Sequence, residues 1–382
     1  MVDITYEMKR DIGFVIDRLP EEQGAVQLPA GTVVVSADNH LTVAEDLFYD
    51  RFPEDMKDRA PRVWFEEGAW QIGMDGKTFF PEIMRRQLSK FDVPGMNMND
   101  PIHRQRAMES EGVSKELAFG NNALLLMKYP DFEVRELVWK IYNEFLADCQ
   151  AKAPGRFYGV GVANFWDPSK TRESIEHIKA LGLKTYMIPY KPGNDVNGKP
   201  IEYMSEAMEP MWQAIEDAGL PLCFHVGESF QDGPGGMGVA SMTNFDPFRE
   251  VLGQMVFGGI FDRHPRIRVV FVEAGINWVA GAIQDMEMIH GSFNELMYPQ
   301  LKHAPRWYWD NHCYATFMSD RIGLKLIDDI GADRVMWSSD YPHLESTFGY
   351  GWSAMQAVLD TVSPPEARKI LGQTAIEVFD LN

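Results

Sequence analysis

Residues 334–343 read Arg-Val-Met-Trp-Ser-Ser-Asp-Tyr-Pro-His, an apolar run that closes on Asp340 and His343. Three other runs share this form. Thr32-Val-Val-Val-Ser-Ala leads into Asp38-Asn-His40, Leu220-Pro-Leu-Cys-Phe ends at His225, and Ile267-Arg-Val-Val-Phe-Val ends at Glu273. Short runs rich in β-branched and aromatic residues, alternating with stretches of helical period, are the pattern of a parallel α/β sheet. Four more runs complete the set: Lys115–Phe119, Arg156–Val162, Lys184–Pro189 and His312–Phe317. Eight strands separated by helical segments predict a distorted (β/α)8 TIM barrel, whose strand ends meet on one face.

The 382-residue chain suffices for one such barrel with additions. Residues 1–31 read as an N-terminal extension and 32–382 as a single barrel domain. Residues 41–112 read as a long insertion after the first strand, with little strand period. The segment 227–245, with its run Gly-Pro-Gly-Gly-Met-Gly, reads as a mobile loop and not as a dinucleotide cradle. The formal charge of −20 excludes nucleic acid, which requires a basic stripe. No apolar stretch is long enough to span a bilayer, and residues 1–27 carry no signal-peptide core, so a cytoplasmic protein is expected. Cys149, Cys223 and Cys313 are far apart and odd in number, which fits buried thiols better than disulfides.

Taken singly, each polar strand end has an ordinary explanation as a cap or a satisfied hydrogen bond. Taken together they do not, because Asp38, His40, His225, Glu273, Asp340 and His343 would all converge on the mouth of the barrel. Asp38 and His40 are two apart, so on a strand they point to the same side. Glu273 closes a strongly apolar run, where an ionised carboxylate needs a partner.

From the first strand to the C-terminus the chain resembles the amidohydrolase superfamily, in its branch of aminocarboxymuconate-semialdehyde and resorcylate-type decarboxylases. Ser-Ser-Asp340-Tyr-Pro-His343 is the most specific match. The resemblance implies that Asp38, His40, His225 and Asp340 hold a divalent metal. Two positions depart from the family pattern. Asp38 stands where most members have histidine or glutamate, and Glu273 stands where most have the histidine that handles the proton in decarboxylation.

Three carboxylates and three imidazoles exceed what one metal needs and suit two. In this the set is similar to the amidohydrolase-related dinuclear oxygenases, such as 2-aminoisobutyrate hydroxylase. The leading expectation is therefore a monooxygenase with two metals, iron with manganese or a second iron. Asp38, His40 and His225 would hold one metal, and Glu273, Asp340 and His343 would hold or bridge to the other. This reading needs O2, a small organic substrate and a separate electron donor. The alternative is a hydrolase or decarboxylase with one zinc or manganese, in which Glu273, Asp340 and His343 act on protons or substrate. A non-catalytic subunit that keeps a structural metal is the remaining reading.

The methionine- and aromatic-rich insertion points to a homo-oligomer or a complex with a related subunit. Trp278, Trp337, Tyr341, Trp352 and the Trp307–Trp309 run read as core or as pocket wall. Arg306, Asn311 and His312 read as groups near the seventh strand that could orient substrate. His103 and Arg104 read as surface residues.

Overall fold

The valine-rich and aromatic runs that precede the candidate ligands all form strands. The computed structural model describes residues 26–43, 46–66, 69–79, 100–229, 231, 233–244, 248–343 and 345–382. The expected N-terminal extension therefore lies outside the described residues except for 26–31, as do 44–45, 67–68 and 80–99 of the insertion.

The first strand, β1 (Val35–Leu41), leads into a small antiparallel sheet of β2 (Arg62–Glu66), β3 (Ala69–Met74) and β4 (Lys77–Thr78), followed by helix α1 (Pro101–Ser110). Strands and helices then alternate: β5 (Lys115–Gly120), α2 (Phe132–Lys152), β6 (Phe157–Val162), α3 (Thr171–Ala180), β7 (Thr185–Met187), α4 (Glu209–Ala218) and β8 (Leu222–His225). After them come α5 (Phe248–Phe257), β9 (Val269–Val272), α6 (Asn277–Phe293), β10 (Cys313–Phe317), α7 (Arg321–Lys325), β11 (Val335–Trp337) and α8 (Gly351–Leu359).

All eight barrel strands pair in parallel, in the order β1-β5-β6-β7-β8-β9-β10-β11. Every residue of β6, β8 and β9 is buried, as expected for strands covered by side chains inside and helices outside. The last edge closes differently. Beyond the end of β11, Asp340 N–H donates to Asp38 O at 2.8 Å and His40 N–H donates to Tyr341 O at 2.7 Å. The ring is thus sewn shut at the residues that carry candidate ligands.

Gly372 supports the same edge from below. A Cβ there would lie 1.8 Å from the Val33 carbonyl oxygen, so only glycine lets the C-terminal segment pass this close to the start of β1.

Two expectations fail. The insertion does contain strands: β2 and β3 pair from Arg62 opposite Gly73 to Glu66 opposite Ala69, and a turn at Asp75-Gly76, both with positive φ, sends the chain into β4. The glycine run after β8 opens a helix (Gly236–Asn244), its entry shaped by Gly233 and Gly235 in left-handed backbone. Among the described residues no helix is long and apolar enough to cross a membrane.

Candidate metal centre

The six residues come from four strands and meet at one point. Asp38 and His40 lie within β1, not beyond its end, because the strand runs on to Leu41. Its register against β5 shifts between Ser36 and Asn39. Such a bulge re-aims side chains next to a site. His225 is the last residue of β8, and Glu273 immediately follows β9. Asp340 and His343 lie in the turn after β11.

Glu273 and Asp340 both hold left-handed backbone, with φ of 73° and 60°. For a residue with a Cβ this costs about 1–2 kcal/mol. Here it sets both carboxylates against His40. Strained non-glycine residues of this kind cluster at functional sites.

The imidazoles are fixed by backbone carbonyls. His40 Nδ1 is 3.2 Å from Gly120 O, and His225 Nδ1 is 2.9 Å from Val226 O. A carbonyl only accepts, so each Nδ1 carries the proton and each Nε2 turns its lone pair inward. His225 Nε2 is 3.3 Å from Asp38 Oδ1 and 3.2 Å from Glu273 Oε2. His40 Nε2 is 3.1 Å from Asp340 Oδ1 and 3.7 Å from both Asp38 Oδ1 and Glu273 Oε2. His343 Nδ1 is 3.0 Å from Asp340 Oδ1 and 3.9 Å from Glu273 Oε1. The His40 ring stacks on His343 at 3.8 Å and meets His225 edge-on at 4.9 Å, while Phe119 packs against His225 at 4.8 Å.

Two overlapping quartets emerge: Asp38, His40, His225 and Glu273, and then His40, Glu273, Asp340 and His343. Glu273 belongs to both, with Oε2 toward the first and Oε1 toward the second.

Several inward atoms lack a hydrogen bond: Asp38 Oδ2, His40 Nε2 and both oxygens of Asp340. Buried polar atoms are normally satisfied. Three carboxylates this close, facing imidazole lone pairs, are unfavourable without a cation. Oxygen and imidazole donors together suit a divalent first-row metal, so the residues present fit such an ion.

The electrostatics agree. Burial, followed by the neighbouring His343, pushes His40 well below its ordinary value, so it is neutral. Burial and the carboxylates of Asp340 and Asp38 push Glu273 well above the usual carboxylate range. For His343 burial opposes the charge, but Asp340 outweighs it and raises the group to about 9.

The substrate-orienting groups expected near the seventh strand are elsewhere. His312 immediately precedes β10, at the end opposite the candidate ligands, where its Nδ1 donates to Ile267 O and its ring stacks on Phe261. Asn311 donates to Trp307 O, and Arg306 pairs with Asp310. Of the aromatic residues, Trp309 and Trp337 are fully buried, and Trp278 packs on Phe248, Phe271 and Trp309 as core. Trp352 packs against Gly112, and Trp307 stacks on His303 near the surface. Arg104, expected at the surface, is fully buried. Sequence reading missed the carbonyls of Gly120 and Val226 and the Thr316 hydroxyl that accepts Glu273 N–H at 2.9 Å. Backbone carbonyls leave no signal in a sequence.

Comparison with known proteins places this geometry in context. The amidohydrolase family model matches residues 104–381. Gamma-resorcylate decarboxylase of Polaromonas sp. (strain JS666 / ATCC BAA-500) is 21% identical over 305 residues, covering 73% of this chain and 87% of the relative. The 2-amino-3-carboxymuconate-6-semialdehyde decarboxylase of Dictyostelium discoideum is 24% identical over 256 residues, covering 63% of this chain and 66% of the relative. Among solved structures, 5-carboxyvanillate decarboxylase from Novosphingobium aromaticivorans, complexed with manganese and 4-hydroxy-3-methoxy-5-nitrobenzoic acid, superposes with a TM-score of 0.68 at 16% identity. That match covers 95% of this chain and 99% of the other.

Proposed function

We propose, from the premise that this chain belongs to the amidohydrolase family, that it is a metal-dependent carboxy-lyase acting on a small aromatic or unsaturated carboxylic acid. The observation that carries this reading is the buried group of inward donor atoms at the mouth of a barrel shared with decarboxylases of such acids. The oxygenase, the leading expectation from sequence, has less support, since the relatives described above are decarboxylases.

Asp38, His40, His225 and Asp340 would hold the ion. A divalent cation bound there supplies positive charge that grips a carboxylate and its neighbouring oxygen. Removing CO2 breaks one carbon–carbon bond and leaves the electron pair on carbon, where a proton must replace the lost group. Glu273 would deliver that proton. Its carboxyl reaches toward both His225 and His343, and its burial beside Asp340 and Asp38 favours the protonated form. In this role it takes the place of the family's proton-handling histidine. His343, the most exposed of the six side chains at 17%, stands where an arriving anion meets the cluster.

Incubation of the manganese-loaded enzyme with 2-hydroxybenzoic and dienoic acids, without oxygen, tests this reading. One CO2 per product is expected, and Glu273→Gln should slow release at least about 100-fold while retaining metal. Product formation that requires stoichiometric O2 would overturn it.

A second reading rests on the overlap of the two quartets. If Glu273 is a shared ligand and not a proton carrier, the cluster accepts two adjacent cations, and O2-dependent hydroxylation with an external electron donor becomes the fitting chemistry. Two metals per chain including iron, with O2 uptake matched to product, would select it.

A further inference from the structure

Arg104, in α1, is completely buried in the base of the insertion. A guanidinium out of water is costly unless its donors are matched. Its Nε and Nη2 hold the two oxygens of Glu116 at 3.2 and 2.7 Å, and Nη1 donates to the His40 carbonyl at 2.5 Å. Its charge also lies 5.1 Å from the centre of the Tyr341 ring.

Glu116 stands in β5, beside β1, and its Oε2 accepts from Asn39 Nδ2 at 2.6 Å. Asn39 Oδ1 in turn accepts from Tyr341 N–H and from Ser36 Oγ, each at 2.9 Å. Ser36 Oγ accepts from Ser339 N–H at 2.7 Å. One buried polar chain therefore runs from α1 through β5 to the bulge of β1, and on to the turn after β11.

Its contacts fall on residues that flank ligands. Asn39 lies between Asp38 and His40 and points to the opposite side of the strand, as alternation requires. Ser339 and Tyr341 flank Asp340. Three of the six candidate ligands thus stand on backbone held by this chain of bonds. The network touches the cluster from behind and adds no donor to it.

We propose that Arg104 is a positioning residue for the metal centre. Through Glu116, Asn39 and the His40 carbonyl it sets the spacing of Asp38 and His40 from Asp340, and so couples the insertion to cation affinity. The inference rests on reading the six-residue cluster as a metal centre. A purely structural ion pair would behave differently: replaced by apolar residues of similar size, which leave a protein about as stable as before, it would leave cation affinity unchanged.

The test measures Mn2+ affinity of the full chain by competition with a chromophoric chelator, together with melting of the metal-free form. Arg104→Lys keeps the charge beside Glu116, but its single ammonium cannot reproduce the planar fork that reaches both Glu116 oxygens and His40 O. It is expected to fold and to bind Mn2+ about 10- to 100-fold more weakly, the usual effect of losing a group that orients ligands. The double variant Arg104→Met, Glu116→Leu is expected to recover the metal-free melting temperature and to keep the weakened affinity. Affinity within twofold of wild type in either folded variant overturns the proposal. Failure of Arg104→Lys to fold also overturns it, by assigning Arg104 to the core alone. Wild-type protein that binds no Mn2+ removes the metal-centre reading itself, an outcome distinct from both.

Discussion

Removing the cation should soften the whole barrel by a calculable amount. Asp38, Glu273 and Asp340 all lie within 3.7 Å of His40 Nε2. Without a metal they repel one another in a buried site, and with one they are satisfied. An ion that binds only the folded chain stabilises it by about 2.7 kcal/mol when supplied at 100 times its dissociation constant. The unfolding entropy is about 2.1 cal/mol/K per residue near 60 °C, so 382 residues give about 0.8 kcal/mol/K. The melting temperature should therefore rise by about 3 °C on adding Mn2+ at that ratio to chelator-treated protein. Asp340→Asn removes one carboxylate charge from the cluster. It should melt no lower than wild type when both are metal-free, and its metal-dependent rise should largely vanish. Scanning calorimetry of the four samples decides the matter. A wild-type melting temperature indifferent to metal, or an Asp340→Asn chain that rises as wild type does, would refute the reasoning.

Gly372→Ala forces a Cβ against the Val33 carbonyl, a backbone atom that cannot swing aside. The cost should be about 3 kcal/mol, lowering the melting temperature by about 4 °C, and an unchanged melt would contradict it. Glu273→Gln should leave the metal-free fold at least as stable as wild type, since burial and the neighbouring carboxylates already penalise its charge; urea titration at neutral pH measures this, and a marked loss of stability would count against it. His312 is held neutral by burial, below its ordinary 6.5. Its folded pKa is depressed, so the unfolded chain binds the proton more readily, and stability present above about pH 6.5 is lost as pH falls toward the folded value. His312→Phe should therefore be less stable than wild type at pH 7 for want of the bond to Ile267 O, with the gap narrowing toward pH 5, and kcat/KM should stay within about twofold. A gap that widens, or a large loss of activity, would place His312 differently.

The eight barrel strands were legible as short apolar runs between helical stretches, and the six clustered residues because they stand in or just after four of those runs, whose ends in a parallel barrel share one face. The bulge in β1 was not, since nothing in Val-Ser-Ala-Asp-Asn marks a shift of register. The β2–β4 sheet stayed hidden because its strands are short and the two outer ones, β2 and β4, are mostly exposed, so alternation barely registers. Arg104 looked like a surface residue because its mean surroundings in α1 are polar. Its burial depends on Glu116, which meets it only when β5 lies beside β1. His312 misled for a related reason: proximity to a strand says nothing until the strand's direction separates its two ends. The choice between proton carrier and shared ligand at Glu273 was equally invisible, because residue types specify donors and not the number of ions.

The most direct test of the account is a crystal structure of manganese-loaded protein with anomalous scattering recorded across the manganese edge. The account predicts a peak with Asp38, His40, His225 and Asp340 at coordination distance, about 2.0–2.2 Å for oxygen and nitrogen donors. No peak at the mouth of the barrel in crystals of loaded protein, or a peak held by other residues, would contradict it.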